Sequence, residues 1–140
     1  MPVTKPFNPE AYARSDAPGK QAVIKYLKTI GIEAIENPNK YGIDVIVPGF
    51  DVTYEVEQRG IWVKDWYYKT VHVPARKKKF MQDKMIYAVV NRGCDKIMFC
   101  PAEIIREYAP EEVPNRAVAS GEYFYDVPLD KWTLREVPNG

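Results

Sequence analysis

Asp44, Glu55 and Glu57 are the residues best placed to do chemistry. They lie on either side of a Pro48-Gly49-Phe50-Asp51 turn in the stretch GIDVIVPGFDVTYEVEQ, residues 42–58. Both arms of this stretch alternate and are rich in β-branched residues, which predicts a hairpin of strands 42–47 and 52–58. Centring the turn on Gly49-Phe50 sets Val47 against Val52, Val45 against Tyr54 and Ile43 against Val56, three apolar pairs on one face. On the other face Asp44 falls opposite Glu55, with Glu57 one step further along. A slip of one residue would put Asp44 among the apolar side chains, which burial forbids. Opposed residues hold their Cβ atoms about 5 Å apart, so the register gathers three carboxylates on one patch. Like charges this close repel and raise each other's pKa. A hard divalent cation removes the conflict, and Mg²⁺ takes oxygen ligands from one or two carboxylates. A solvated acidic face, neutralised by Arg59 or Lys40, accounts for the same residues, and the spacing does not decide between the two readings.

A second cluster is the basic run Arg76-Lys77-Lys78-Lys79, which follows Pro74. It reads as a helix contacting phosphates or as a solvated helix face. Lys20, Lys25 and Lys28, further up the chain, extend a positive flank. Between hairpin and basic run lies Ile61-Trp62-Val63-Lys64-Asp65-Trp66-Tyr67-Tyr68. These aromatics suit stacking on unpaired bases, a dimer surface, or a local satellite core. His72 is the one histidine, which argues against a His-rich metal site and a Ser-His-Asp triad. It reads as a structural residue or as a proton donor to a leaving group. Cys94 and Cys100 are too few for a disulfide framework and their spacing is not a zinc pattern, so reduced thiols and a cytoplasmic location are expected.

The elements that must position these groups follow from periodicity. The chain has 140 residues, 46% hydrophobic and 28% charged, which excludes disordered and fibrous classes and fits one domain. A net charge of +1 leaves any polyanion partner to local charge distribution. No apolar run reaches the ~20 residues of a membrane helix, and residues 1–10 lack a signal-peptide core, so no membrane partner is expected. Residues 1–15 read as an irregular arm, and 16–140 as the domain. Ser15-Asp16 offers an N-cap to a helix carrying Val23, Leu27 and Ile30, closed by Gly31. A short strand at 32–36 and the hairpin follow, then an irregular stretch over 59–74 and a helix over 75–81. Strands at 85–90 and 96–100, a helix at 102–108 and one strand at 123–127 complete the chain. The order is α-β-β-β-α-β-β-α, an α/β fold with a mixed sheet flanked by helices.

A G-I-D strand before an E-V-E strand, set between a first helix and a later helix and strand pair, resembles the PD-(D/E)XK nuclease superfamily and its restriction-endonuclease-like αβββαβ core. The resemblance covers roughly residues 16–105. The segments V-H-V-P-A-R-K-K-K-F, M-I-Y-A-V-V-N-R and K-I-M-F-C-P-A-E-I-I make it similar to small Holliday-junction resolvases and phage-type endonucleases. The resemblance implies a Mg²⁺-dependent endodeoxyribonuclease, with Mn²⁺ able to substitute. Asp44 matches the first acid and Glu55 the second. Glu57 stands where the family usually has lysine, and Gly42-Ile43 replaces the proline of the name. The implied roles are Asp44, Glu55 and Glu57 as metal ligands, Glu57 alternatively as general base, and Lys77 as the missing positive charge. Arg76, Lys77, Lys78 and Lys79 would bind DNA. Asp16 matches the acid some members carry in the first helix, although helix capping accounts for it as well. Symmetric cutting of two strands implies a homodimer. The missing lysine keeps open a rival expectation, a non-catalytic nucleic-acid-binding or interaction domain of the same fold.

Overall fold

A computed structural model describes residues 9–115 and 118–138. The chain forms helix α1 (Pro9–Thr29), strands β1 (Ile35–Glu36), β2 (Val45–Ile46), β3 (Thr53–Arg59) and β4 (Thr70–Pro74), and a 3-10 turn (Ala75–Phe80). Strands β5 (Met85–Asn91) and β6 (Lys96–Pro101), helix α2 (Ala102–Ile105), and strands β7 (Glu111–Asn115), β8 (Val118–Pro128) and β9 (Thr133–Glu136) follow. Six strands make a mixed sheet in the order β1-β2-β3-β5-β6-β9, and β4-β8-β7 make a second sheet. Within the large sheet β3 and β5 run parallel, while the other neighbours are antiparallel. The fold is mixed α/β. Among the described residues, no helix is long and apolar enough to cross a membrane.

Alternation along β5 builds two cores. Ala88 and Val90 point to one face, where Ala22, Val23 and Leu27 of α1 meet Val45, Tyr54, Val56 and Ile97. Tyr87 and Val89 point to the other, where they meet Val71 and Val73 of β4, Tyr125 and Val127 of β8, Met98, and Ile105 of α2. The layers are therefore helix, large sheet and small sheet. Gly19 lets α1 sit low over β3, since a Cβ there would lie 3.4 Å from the Gln58 Cβ.

The hairpin register is the expected one: Val45 pairs with Tyr54 and Ile46 with Thr53. The ladder is shorter than expected, however. Beyond Val45 the chain turns away, and the Asp44 carboxylate accepts the Val56 N–H at 2.8 Å, where a backbone carbonyl would otherwise sit. Ile43 consequently packs against the opposite core from Val45, instead of completing the apolar row with Val56.

Four other expectations are corrected. Helix α1 begins at Pro9 and carries Pro18 inside it, so residues 9–15 are its first turns and Ser15-Asp16 is no cap; residues 1–8 and the Asp16 side chain lie outside the described residues. The stretch 59–74 ends in β4, where Val71 and Val73 alternate inward. The element after Pro74 is a 3-10 turn, not an α-helix. The tail supplies three strands where one was expected, and β8 with β4 forms the small sheet that covers the second core.

Candidate active site

Strand β3 aims Glu55, Glu57 and Arg59 at one face by simple alternation. They face the layer between the two sheets, beside the parallel strand on which Tyr87 stands next to Glu55. Glu55 is buried, only 2% exposed. Lys77 reaches it from the 3-10 turn, with Nζ donating to Glu55 Oε1 at 2.7 Å. Three residues per turn set side chains i and i+3 in line. Pro74, Lys77 and Phe80 accordingly form the inward stripe, while Lys78 and Lys79 are exposed. Lys77 and Lys79 both lie over the Phe80 ring, at 5.9 and 5.0 Å from its centroid.

Asp44 stands at the edge where the hairpin ladder ends. One of its oxygens holds the Val56 N–H and the other faces Lys20 Nζ of α1 at 3.5 Å. This carboxylate thus bridges a helix and a strand while facing Glu55. Burial first, and then the negative charge of Asp44, push the Glu55 carboxyl up to about 7, against the opposing pull of Lys77. Among the described residues, the second Glu55 oxygen, Oε2, is buried and receives no hydrogen-bond donor. A buried acceptor without a donor is costly.

Glu57 is differently placed. Arg59 Nε donates to its Oε2 at 2.7 Å and the guanidinium makes a second bond to the same oxygen. The same guanidinium donates to the His72 carbonyl of β4 at 2.5 Å and lies 5.5 Å from the Trp66 ring centroid. The expected patch of three carboxylates is therefore divided. Asp44 and Glu55 share one environment, and Glu57 is neutralised in its own. Among the described residues no group of three acidic, histidine or cysteine side chains is gathered to hold a metal.

His72 pairs across strands with Asp126, Nε2 to Oδ1 at 3.2 Å, and its ring lies 5.4 Å from that of Phe124. Its place is on the small sheet, and its carbonyl does the work of anchoring Arg59. Burial lifts the Cys100 thiol to about 12, which makes it a core residue and not a nucleophile. The Arg76 side chain lies outside the described residues.

Two buried or half-buried carboxylates with an ammonium beside them can hold a hard cation or share a proton. Oxygen donors suit Mg²⁺ or Mn²⁺, and the orphaned Glu55 Oε2 supplies an acceptor that a cation would satisfy. Asp44 and Glu55 are the residues that could hold such an ion. Sequence reasoning missed the Lys20 contact, since it joins residues far apart in the chain. It also missed the closure of Glu57, although Arg59 two positions along was a visible sign. No family model matches this chain, and no curated protein matches it.

Proposed function

We propose that the protein is a metal-dependent DNA endonuclease of the restriction-endonuclease-like kind, with Asp44 and Glu55 as the ligands of a divalent cation. The observation that carries this reading is Glu55: a buried carboxylate with one oxygen on Lys77 and the other without a donor, beside a second carboxylate. The strand arrangement supports it too, since Asp44 immediately precedes β2 and Glu55 lies on its antiparallel neighbour β3, which runs parallel to β5.

When bound, a divalent cation polarises a phosphodiester and lowers the pKa of a water. The chain's own residues set the stage for that chemistry. Asp44, held by the Val56 N–H and Lys20, presents its charge from a fixed position. Glu55 is kept rigid by burial and by Lys77. Lys77 brings positive charge next to the acids from the 3-10 turn, whereas the family pattern carries its lysine on the strand itself. It would stabilise the charge that gathers on the phosphate oxygens. Glu57, closed by Arg59, is a positioning residue for the loop beyond β3, not a ligand.

The test is cleavage of supercoiled plasmid and of a synthetic four-way junction with Mg²⁺ and with Mn²⁺. Wild type should cut, and Asp44→Asn and Glu55→Gln should each stop it while keeping the fold and DNA binding. Wild type that binds DNA but cuts neither substrate with either metal would leave the non-catalytic rival. Full activity in both variants would remove the proposed ligand roles.

A further inference from the structure

The loop between β3 and β4, residues 60–69, is built in two layers. Trp62 is buried in the core between the sheets. Trp66 packs edge-on against it at 5.9 Å between centroids and donates its Nε1–H to the Thr70 carbonyl at 3.1 Å. Tyr68 stacks edge-on against Trp66 in turn, at 5.4 Å. The backbone is tied down on its other side. Arg92 N donates to the Trp62 carbonyl at 2.8 Å, and Lys96 Nζ donates to the Lys64 carbonyl at 3.0 Å. This ladder of rings ends in solvent: Tyr68 is 54% exposed and Tyr67 is 83% exposed. Lys64 and Lys69, both exposed, flank them, with Asp65 as the one acid between.

We infer that this loop is a stacking platform for unpaired bases of a DNA strand, which names the substrate class of the nuclease proposed above and rests on that reading. Tyr68, held by the ladder, and the still more exposed Tyr67 beside it bury little of their rings in the protein's own core. A base has a flat face that such a ring can cover, and the flanking ammonium groups suit the phosphates on either side of it. Within a duplex the base faces cover one another, so only a gap, flap, fork or junction offers them. Tyrosines also suit protein interfaces, but lysine is depleted there, so the Lys64 and Lys69 ammonium groups flanking the rings favour a phosphate-bearing strand. The loop is joined to the site strand by Arg59, which grips Glu57 and lies over Trp66. A strand held on Tyr67 and Tyr68 would therefore be fixed relative to the strand that carries Glu55.

The test is fluorescence anisotropy with a labelled oligothymidylate and with a blunt duplex, in EDTA so that cleavage plays no part. Tyr67→Ala/Tyr68→Ala should weaken single-strand binding about tenfold or more, since base stacking on one aromatic side chain is typically worth that much. Duplex binding and the salt slope should stay as in wild type. Tyr67→Phe/Tyr68→Phe should bind like wild type, since the ring and not the hydroxyl stacks. Unchanged single-strand affinity in the alanine pair would overturn the inference, as would a wild type that ignores the oligothymidylate. A wild-type dimer that the alanine pair dissociates, without loss of single-strand binding, would assign the loop to a protein interface instead. The two proposals fail separately: tyrosine-dependent binding without metal-dependent cleavage removes the nuclease alone, and cleavage with tyrosine-independent binding removes the platform alone.

Discussion

Glu55 and Glu57 are the same residue type, two positions apart on one strand and facing the same way, yet they stand in opposite conditions. Among the described residues, Glu55 has one ammonium for two buried oxygens and another carboxylate as neighbour. Glu57 is half-buried and is closed by a guanidinium that is itself fixed on the His72 carbonyl. The difference lies in what the rest of the fold delivers to each side chain. Opposite Glu55 the 3-10 turn offers a single lysine, and opposite Glu57 the strand's own Arg59 folds back. What sets the two apart is burial and charge: the unpartnered oxygen of Glu55 is buried beside a second carboxylate, whereas Glu57 is half-buried and its charge is neutralised by the guanidinium on its Oε2.

For the nuclease proposed above, the largest effect that separates the two is on cleavage. Glu55→Gln should lower metal-dependent cleavage by at least about a hundredfold, since a metal site loses an anionic ligand. Glu57→Gln should retain activity within about tenfold, because its effect passes only through Arg59 and the loop. Steady-state cleavage of a junction substrate at saturating Mg²⁺ measures both. Equal losses in the two variants would erase the distinction and return Glu57 to the ligand set.

Stability against pH gives the next largest contrast. The Glu55 pKa is raised from an ordinary 4.5 to about 7, by burial above all and then by Asp44. For a raised folded pKa, the stability contributed by the protonated group is complete below the ordinary value and is lost as pH rises through the folded one. Cation-free protein should therefore lose about 3 kcal/mol from this group between about pH 5 and pH 8. Thermal unfolding in EDTA should show this slope in wild type and in Glu57→Gln, and lack it in Glu55→Gln. Adding Mg²⁺ near the upper end should restore much of the loss, because an ion that binds only the folded state stabilises it. Identical slopes in wild type and Glu55→Gln would show that Glu55 is not the group that titrates.

Much of this contrast lies beyond sequence reading, for a definite reason. The hairpin register was legible because an apolar row of Val45, Val47, Tyr54 and Val56 tolerates only one pairing. That register is enough to bring Asp44 and Glu55 together. The end of the ladder at Asp44 was not legible, because the carboxylate itself replaces a backbone acceptor there. The role of Lys77 depended on helix type. An α-helix would set both Arg76 and Lys77 over the Phe80 side, whereas three residues per turn align Lys77 alone. The tail's pattern predicts only one strand, because the sequence does not reveal that β8 pairs with β4 on one side and β7 on the other. Such pairing is a tertiary choice, and it decides what lies above Glu57.

The smallest expected effect contrasts neighbouring lysines. Lys77 is turned inward onto Glu55, while Lys78 and Lys79 stand in solvent on the same short turn. Replacing Lys78 and Lys79 together with alanine should leave the fold and the pH slope untouched, because neither faces Glu55. It should weaken duplex DNA binding uniformly across sequences. Each phosphate contact contributes about 0.9 to the slope of log affinity against log salt, so the slope should fall by about 2 at most. Lys77→Met should act the other way round. It removes the partner of a buried carboxylate, so its main cost should be stability, larger near pH 8, where Glu55 is charged, than near about pH 5. Binding measured across a salt series, beside unfolding at two pH values, separates the variants. An unchanged salt slope in the Lys78/Lys79 variant would make the outward lysines a solvated face and leave Lys77, bound to Glu55, as the basic run's link to the site.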